Sequence, residues 1–456
     1  MIIEKVHIKE ILGGRYDNSY VLYHHRLSTY KYPTKPLYKF LVGKPQYGSG
    51  EAGISRENSD SPRYIRITDI DENGFLIDDI GVTAKNVEEK YILRNNDILI
   101  ARSGNTVGKS YIHKTEFVNE TCFFAGYLIR FIIDSNIILP DYIYVFTKLP
   151  VFSDWIKVTQ RVVGQPNINA EEYSCLPVPV PPVKIQQEIV NIFLSAQKAR
   201  LNKIQEAKEL LNSIDDYLLE ALHIIRNKKE TPINTSFYRK VSSIIGNRLD
   251  VSFFKDKFEM VSTKYPNVRL SSLVEIDPTI SFNHYDKDML ISFIPMECID
   301  EKFGKISEYR ETTISKTKGY TKFEENDLLW AKITPCMQNG KSAIARNLKN
   351  GIGCGSTEYY VMRPKGTNVI IDYIYHFLRH HEILKAAQNS FGGSAGQQRV
   401  SSQYLKSIMI PLPDISIQTE IIKTISDMKD KAKRLQKEAN ALFEETKQII
   451  EKKLLG

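Results

Sequence analysis

Two long stretches of the chain carry apolar residues at the spacing of packed helices. They cover residues 183–227 and 415–455, and most of their other positions hold Lys, Glu, Gln, Asn or Asp. The main apolar stripe recurs every seven residues, at Ile204, Leu211, Leu218 and Ile225 in the first stretch and at Met428, Leu435, Leu442 and Ile449 in the second. A companion stripe holds Ala207, Ile214 and Ala221, and then Ile425, Ala432, Ala439 and Thr446. Because a seven-residue repeat is typical of helices that pack on each other, we predict that these two pair within the chain. Packing of each helix on its own domain is the alternative.

Shorter apolar runs predict strands and one further helix in the first part of the chain. Runs rich in Ile, Leu, Tyr and Phe predict strands over 63–67, 97–101 and 123–133. Pro140 favours a helix over 141–149. The proline-rich run 177–182 predicts an extended connector, because proline does not continue a helix.

A helical stretch follows each of two copies of one repeated unit. Residues 164–188 and 396–420 align without a gap and share Gly-Gln, Pro-x-Pro and Ile-Gln-x-Glu, which Ile189 and Ile421 follow. Upstream, Asp-Tyr-Ile-Tyr occurs at 141–144 and 372–375, and Asn-Asp followed by Ile-Leu or Leu-Leu at 96–99 and 326–329. Such an ordered series of matches indicates a duplicated protein. We predict globular domains over 1–182 and 229–412, and helices over 183–228 and 413–456.

The composition narrows the class of protein. With 456 residues and 42% hydrophobic content, the chain is long enough for two or three domains with their own cores. It has no apolar run of membrane-spanning length and begins without the apolar stretch of a signal peptide, so we expect a cytoplasmic protein. Its five cysteines form no Cys-x-x-Cys pair, which argues against a disulfide framework and a thiolate metal site. The net charge of +8 is compatible with nucleic-acid binding without requiring it.

Motifs of three enzyme classes are missing or incomplete. The run 104–110, Gly-Asn-Thr-Val-Gly-Lys-Ser, is similar to a nucleotide-binding P-loop, but Ser103 stands where the first glycine belongs. In the second copy, the stretch 333–339 before Gly340 contains no glycine, so we expect a β-turn with a basic residue. A methyltransferase motif (Asp/Asn)-Pro-Pro-(Tyr/Phe) is absent, and the nuclease-like Pro-Asp pairs at 140–141 and 413–414 lie at helix starts, where capping explains them. We expect no catalytic residue.

Three histidines suggest a metal site only weakly. His376, His380 and His381 lie at helical spacing, but no His-Glu-x-x-His order accompanies them. The first copy has no histidine at the matching positions. We interpret all three as surface histidines and expect no metal site.

Basic and amide side chains recur in the loops of both copies, interleaved with aromatic residues. Arg and Lys suit phosphates and guanine edges, and Asn and Gln pair with adenine. The candidate DNA-binding residues are Arg63, Arg66, Arg102, Asn105, Lys109, Lys157, Arg161 and Gln165 in the first copy, and Lys318, Lys332, Gln338, Asn339, Lys341, Gln397, Gln398 and Arg399 in the second.

The chain resembles the specificity subunit of Type I restriction–modification systems over essentially its whole length. The repeated Gly-Gln, Pro-x-Pro, Ile-Gln-x-Glu-Ile block with its helix carries the resemblance, together with the run Asn-Asp-Ile-Leu-Ile-Ala-Arg-Ser-Gly-Asn-Thr-Val-Gly-Lys at 96–109. The second copy departs from that run with Ala-Lys-Ile-Thr-Pro at 331–335. The resemblance implies an α+β fold. Two tandem α/β target-recognition domains would be separated and followed by long helices that form an antiparallel coiled coil.

The resemblance also implies a non-catalytic, sequence-specific DNA-binding subunit of a phage-defence complex. Each recognition domain would read one half of a bipartite double-stranded DNA target. The helices would set the spacer and dock two DNA adenine-methyltransferase (modification) subunits, which motor/nuclease (restriction) subunits would join. S-adenosylmethionine, ATP and Mg would belong to those partners, so the resemblance implies no cofactor on this chain.

Other interpretations stay open. One is an enzyme with a diverged methyltransferase or nuclease site, which activity of the purified chain alone would reveal. Another is an interaction scaffold whose duplicated domains bind protein instead of DNA. A specificity subunit of a related or orphan methylation or defence system is a milder variant of the main interpretation.

Overall fold

The chain forms two units, each of which combines strands with parts of both long helices. The units are Met1–Ile204 with Gln436–Gly456, and Gln205–Leu435. This mixture of strands and helices confirms the predicted α+β class. The computed structural model describes Tyr23, Leu27 and residues 29–58, 60–71, 73–77, 80–160, 165–225, 260–390 and 398–455.

The first unit is built on a four-stranded antiparallel sheet. Its strands lie in the order Gln46–Tyr47, Leu128–Phe131, Ile98–Ala101 and Ser110–Ile112. Arg63–Ile65 pairs in parallel with Cys122–Phe124, and antiparallel pairs join Thr34–Pro36 to Pro177–Pro179 and Gly53–Ser55 to Val82–Ala84. The helices are Pro140–Phe146, Pro150–Thr159, Ala170–Ser174, the first part of Val183–Ala221 and the last part of Ile415–Leu454. The 3-10 turns are Leu37–Phe40, Ile67–Asp69, Glu89–Tyr91 and Gly104–Thr106.

The strands and the helix predicted from the apolar runs are present in the first unit, but their first and last residues differ in part from the prediction. The predicted strand over 123–133 is two strands, because the chain turns at residues 125–127 and passes from the parallel pair into the four-stranded sheet. The predicted helix over 141–149 begins at Pro140 and ends at Phe146. The proline-rich connector contributes the strand Pro177–Pro179.

The second unit contains two four-stranded sheets. One is antiparallel, in the order Val274–Ile276, Tyr359–Pro364, Leu328–Ala331 and Ser342–Ile344. The other has the order Arg310–Thr313, Leu290–Ile294, Ile352–Gly355 and Thr321–Glu324, with its middle pair parallel. Short pairs join Asn267–Arg269 to Met409–Pro411 and Ile299–Asp300 to Lys305–Ile306. The helices are Leu270–Leu273, Ile371–Leu378, His381–Asn389, Ser402–Ser407, the last part of Val183–Ala221 and the first part of Ile415–Leu454. The 3-10 turns are Met296–Cys298, Ile314–Lys316 and Lys349–Gly351.

The repeated Asn-Asp pair forms a turn that leads into an inner strand of the four-stranded antiparallel sheet in each unit. Asn96 and Asn326 have φ angles of 71° and 69°, in the left-handed region that asparagine tolerates better than most residues. The following aspartate then accepts a hydrogen bond from the backbone three residues earlier, at 2.9 Å for Asp97 and 2.7 Å for Asp327. The repeated motif is therefore a structural device at the start of a buried strand.

The glutamine of the repeated Ile-Gln pair hydrogen-bonds both to the domain and to the proline-rich connector that precedes each long helix. Gln186 is buried, accepts a hydrogen bond from Leu139 N at 3.0 Å and donates to Pro181 O at 2.9 Å. Gln418 is also buried, accepts from Ile370 N at 2.9 Å and donates to the last proline carbonyl of its own connector at 2.8 Å. The two glutamines thus satisfy matching backbone groups in the two units.

Segments of the two long helices lie side by side within the first unit. The carboxylate of Glu188 lies 3.2 Å from Lys453 Nζ, and that of Glu438 lies 2.7 Å from Lys203 Nζ. The N-terminal end of one segment therefore faces the C-terminal end of the other. Between these ion pairs, the ring centroids of Phe193 and Phe443 are 5.4 Å apart.

Within the second unit, the remaining segments make contacts of the same kind. Glu206 pairs with Lys431 at 3.0 Å. Ala207 and Ala432 are fully buried in one cluster with Leu435, and small side chains of this kind allow the two backbones to approach closely.

The buried face differs in part from the predicted main stripe. Ile225 lies beyond the helix end at Ala221 and is 60% exposed, and Ile449 is 51% exposed, so their prediction as packing residues is wrong. Leu218 and Leu435 are buried, whereas the other four predicted positions, Ile204, Leu211, Met428 and Leu442, are half-buried. In the second helix the companion stripe of Ile425, Ala432, Ala439 and Thr446 is the buried one. Across the described ranges, no helix is both long and apolar enough to span a membrane.

Candidate nucleic-acid interface

Two loop segments meet in the same way in each unit. In the first unit, Ile168 N donates to Arg102 O at 2.9 Å and Gly104 N donates to Pro166 O at 2.9 Å. In the second unit, Val400 N donates to Lys332 O at 3.0 Å, and Thr334 N donates to the Gln398 carbonyl at 3.1 Å. We call these segments the paired loops, residues 102–109 with 165–169 and residues 332–341 with 398–400. The duplication therefore places one basic residue at an equivalent position in each unit.

An aromatic ring lies beside each of these basic residues. The guanidinium carbon of Arg102 lies 4.9 Å from the ring centroid of Tyr47, and Lys332 Nζ lies 5.2 Å from that of Tyr360. Both basic side chains are half-buried. Such cation–π contacts hold a cation in place without using its hydrogen-bond donors, which leaves those donors for an anionic or polar ligand.

The lysine that ends the first loop of each pair is also placed equivalently. Lys109 Nζ donates to Ile67 O at 3.2 Å, and Lys341 Nζ donates to Met296 O at 3.3 Å. Each bond ties the loop to a neighbouring 3-10 turn. An ammonium group has three donors, so the bond to one carbonyl leaves further donors on each lysine.

The loop 104–109 does not form a phosphate-binding P-loop. Val107 N donates to Gly104 O and Lys109 N to Thr106 O, while Gly108 N donates to Ala101 O. A P-loop presents such amides to phosphate, whereas these are used within the fold. The expectation of a turn with a basic residue is therefore confirmed.

Several predicted residues, most of them within the paired loops, have exposed side chains, and some are held by acidic partners. Those with exposed side chains are Asn105, Lys157, Gln165, Lys318, Gln338, Asn339 and Arg399. Arg399 forms a two-pronged ion pair with Glu358, at 2.8 and 2.7 Å, and its hydrogen bonds lower the pKa of that carboxyl group. Lys157 pairs with Asp154 at 3.1 Å, and Asn339 donates to Glu301 at 3.1 Å.

A pocket adjoins the basic residue of the second unit. It has a volume of about 310 Å³ and is lined by Lys332 and Lys322 together with Tyr320 and Asp277. The sequence patterns did not single out Asp277, Tyr47 or Glu358 as part of this interface. Their positions depend on strand pairing and loop contacts between distant parts of the chain, which no local pattern reports.

Two predicted arginines have structural partners. Arg63 is only 6% exposed, donates to Ile77 O at 3.0 Å and pairs with Glu120 at 3.4 Å. Its prediction as a surface DNA contact is therefore wrong. Arg66 is partly exposed and pairs with Asp69 at 2.7 Å.

The remaining predictions have mixed outcomes. Gln398 lies in the paired loops of the second unit, with a half-buried side chain. Arg161 and Gln397 lie outside the described residues. The interpretation of the three histidines as surface residues is wrong for His380, which is 0% exposed, whereas His376 is half-buried and His381 is exposed.

Comparisons with known proteins agree with the duplicated architecture. The family model described as "Type I restriction modification DNA specificity domain" matches residues 51–212 and 262–444. Two curated relatives from Escherichia coli are type I restriction enzyme specificity subunits. EcoEI is 32% identical over 189 residues, covering 40% of this chain and 31% of that protein, and EcoAI is 35% identical over 188 residues, covering 41% and 31%. The matches thus span about a third of the length of these relatives.

A solved structure shows the same fold. It belongs to work on complex assembly and conformational transition of the type I R-M system, and it matches with a TM-score of 0.53 and 12% identity over 93% of this chain and 98% of that one. The two family matches cover both units and more than half of the chain. The chain therefore belongs to the Type I restriction modification DNA specificity domain family and carries that domain twice.

Proposed function

We propose that this chain is the DNA-reading subunit of a Type I restriction–modification complex, and that each unit reads one half of a bipartite target. The observation that carries the proposal is the recurrence of the paired loops, each with a basic side chain over a tyrosine ring. Two readers on one chain recognise two short sites at once, and their linkage multiplies modest individual affinities.

Within each set of paired loops, the residues have distinct proposed tasks. Arg102 and Lys332 are held by aromatic contacts and contact the DNA with their free donors. Lys109 and Lys341 retain donors for phosphate oxygens beside the turns that hold them. Exposed amides such as Asn105 and Gln338 suit the reading of base edges.

The long helices are proposed to form an antiparallel coiled coil that sets the distance between the half-sites. The ion pairs Glu188–Lys453 in the first unit and Glu206–Lys431 in the second support this pairing. A helix of 39 or 40 residues extends roughly 60 Å at 1.5 Å per residue. That length exceeds one DNA turn of roughly 34–36 Å, so it suits two half-sites separated by a spacer.

The chain is proposed to act without catalytic residues of its own. Two adenine-methyltransferase subunits would dock on it and supply S-adenosylmethionine, and motor–nuclease subunits would supply ATP and Mg chemistry. The structural use of the loop amides of Gly108 and Lys109 supports this division, because they are not available to a nucleotide phosphate.

The test uses the complex of this chain with its methyltransferase subunits. Arg102→Ala and Lys332→Ala should each weaken binding to target DNA by roughly 1–3 kcal/mol and relax recognition in one half-site. Lys208→Ala, on an exposed position of the long helix, is the matched control and should leave binding unchanged. Unchanged binding in both loop variants, or methylation by the purified chain alone, would contradict the proposal.

A further inference from the structure

Three metal-binding side chains from two elements meet in the second unit. Asp215 lies on the helix Val183–Ala221, and His380 and His381 lie at the start of the helix His381–Asn389. One potential ligand atom from each of the three lies within 4.8 Å of the other two. The closest pair is His381 Nδ1 and Asp215 Oδ2, at 2.6 Å.

His380 is the least expected member of this cluster, because it is fully buried. Its Nδ1 accepts a hydrogen bond from Glu382 N at 3.2 Å. Its Nε2 is buried and has no hydrogen-bond partner among the described residues. A buried polar atom without a partner is costly, and coordination of a metal ion would satisfy it.

The tautomer of His380 would change on coordination through Nε2. The ring proton would move to Nδ1, and the bond from Glu382 N would be lost. That amide belongs to the first turn of a helix, where backbone N–H groups have no partner within the helix. The bond from Glu382 N that the ring gives up is a long one, at 3.2 Å.

His381 is already oriented for coordination. Its Nε2 lies 3.3 Å from Glu382 Oε1, while its Nδ1 faces Asp215. A carboxylate that accepts the distal ring proton fixes the orientation of a metal-bound histidine and raises its basicity. Glu382 thus occupies the place of a supporting carboxylate.

We propose that Asp215, His380 and His381 bind one divalent transition-metal ion of the zinc class. Two imidazole nitrogens and one carboxylate oxygen suit Zn²⁺ or Co²⁺, and three protein ligands leave a fourth position for water. Bonds of about 2 Å to a tetrahedral ion place the ligand atoms roughly 3.3 Å apart. The side chains reach that spacing with small movements, since the pair at 2.6 Å must separate slightly and the other ligand atoms already lie within 4.8 Å of each other.

The ion would fasten the helix His381–Asn389 to the long helix within the second unit. The first unit cannot form the equivalent site, because Leu149 and Pro150 stand where the histidines would be, and Lys447 stands where Asp215 would be. The inference replaces the expectation of no metal and is independent of the proposed DNA reading.

Titration of the metal-free full chain with Co²⁺ tests the site. We expect one equivalent to bind with the visible absorption of a tetrahedral cobalt centre, and Zn²⁺ to displace it and raise the melting temperature. Asp215→Asn and His381→Ala, which change half-buried and exposed residues, should each abolish the absorption and the zinc-dependent shift. Glu382→Gln should weaken binding by roughly 10- to 100-fold.

His284→Ala is the matched control, because this exposed histidine lies outside the cluster. It should bind Co²⁺ as the unmodified chain does. Circular dichroism establishes that each variant is folded. The proposal is overturned if the unmodified chain binds no equivalent of Co²⁺. It is equally overturned if the absorption survives in both Asp215→Asn and His381→Ala, because the ion would then be held elsewhere.

Discussion

At the scale of single residues, the buried glutamines near the start of the two long helices, Gln186 and Gln418, satisfy backbone groups of the connector and the domain. Gln418 satisfies Ile370 N and donates to the carbonyls of Asn368 and Pro413. Gln418→Leu fills similar space but leaves these groups without partners. We expect a loss of roughly 2–4 kcal/mol in the free energy of unfolding, measured by chemical denaturation of the full chain.

Gln187 offers a matched control for the glutamine of the first unit. Gln186 is buried, whereas its neighbour Gln187 is exposed and bonds only to Asn191 on the same helix. Gln186→Leu should lower the denaturation midpoint of the first unit, and Gln187→Leu should leave it nearly unchanged. Equal effects of these two substitutions would show that the buried hydrogen bonds do not stabilise the connector.

The sequence predicts where a site residue lies in the fold better than it predicts which side chains that residue contacts. Arg102 and Lys332 recur in loops of the two copies, and both lie in the paired loops. The buried state of Arg63 is not predictable in this way, because its partner Glu120 is distant in sequence. The burial of His380, at the start of a short helix, depends on tertiary contacts and not on its spacing from other histidines.

At the scale of elements, the long helices show how packing on a domain modifies a seven-residue pattern. Leu218 packs with Trp330 and Tyr373 in the core of the second unit, and Ile425 of the other helix joins the same cluster. Residues of both long helices thus pack on the domain of the second unit, and segments of the two helices also contact each other within each unit. Periodicity predicts that a helix has a buried face, but the share that each neighbour covers depends on tertiary structure.

Leu218 and Ile225 give a matched pair for this account, since one is 1% and the other 60% exposed. Leu218→Asp removes a buried side chain and adds a buried charge, so we expect at least about 3 kcal/mol of destabilisation. Ile225→Asp should change stability by no more than about 0.5 kcal/mol. Thermal denaturation of the full chain measures both, and equal effects would contradict the assigned buried face.

The proposed spacer role of the helices can be tested by lengthening them. Seven residues inserted after Ile204 and seven after Leu435, where the two units divide, add two helical turns to each helix. The addition is roughly 10 Å, or about three base steps. Methylation mapping should show both half-sites unchanged and a longer spacer.

An insertion in one helix alone is the control for that experiment. It moves the two apolar faces out of register, so we expect loss of methylation instead of a new spacer. An active double insertion with the original spacer would show that the helices do not set the distance.

At the scale of the whole molecule, duplication is the feature that the sequence predicts best. The repeated motifs recur because they do the same structural work in both units, as at Asp97 and Asp327 or at Gln186 and Gln418. The sheet pairings that no short motif encodes, such as the parallel pair Arg63–Ile65 with Cys122–Phe124, emerge only from the folded chain. Loop residues differ between the copies, which fits the proposal that the two units read different half-sites.

The central claim is that each unit reads DNA independently, and methylation mapping of a domain exchange tests it most directly. Residues 1–160 would be replaced by the equivalent domain of a relative with a different target, while both long helices and the second unit stay unchanged. Cells that carry the exchanged chain with its methyltransferase partner should methylate a motif with one new half, the original second half and the original spacer. A change in both halves, or in neither, would contradict the account.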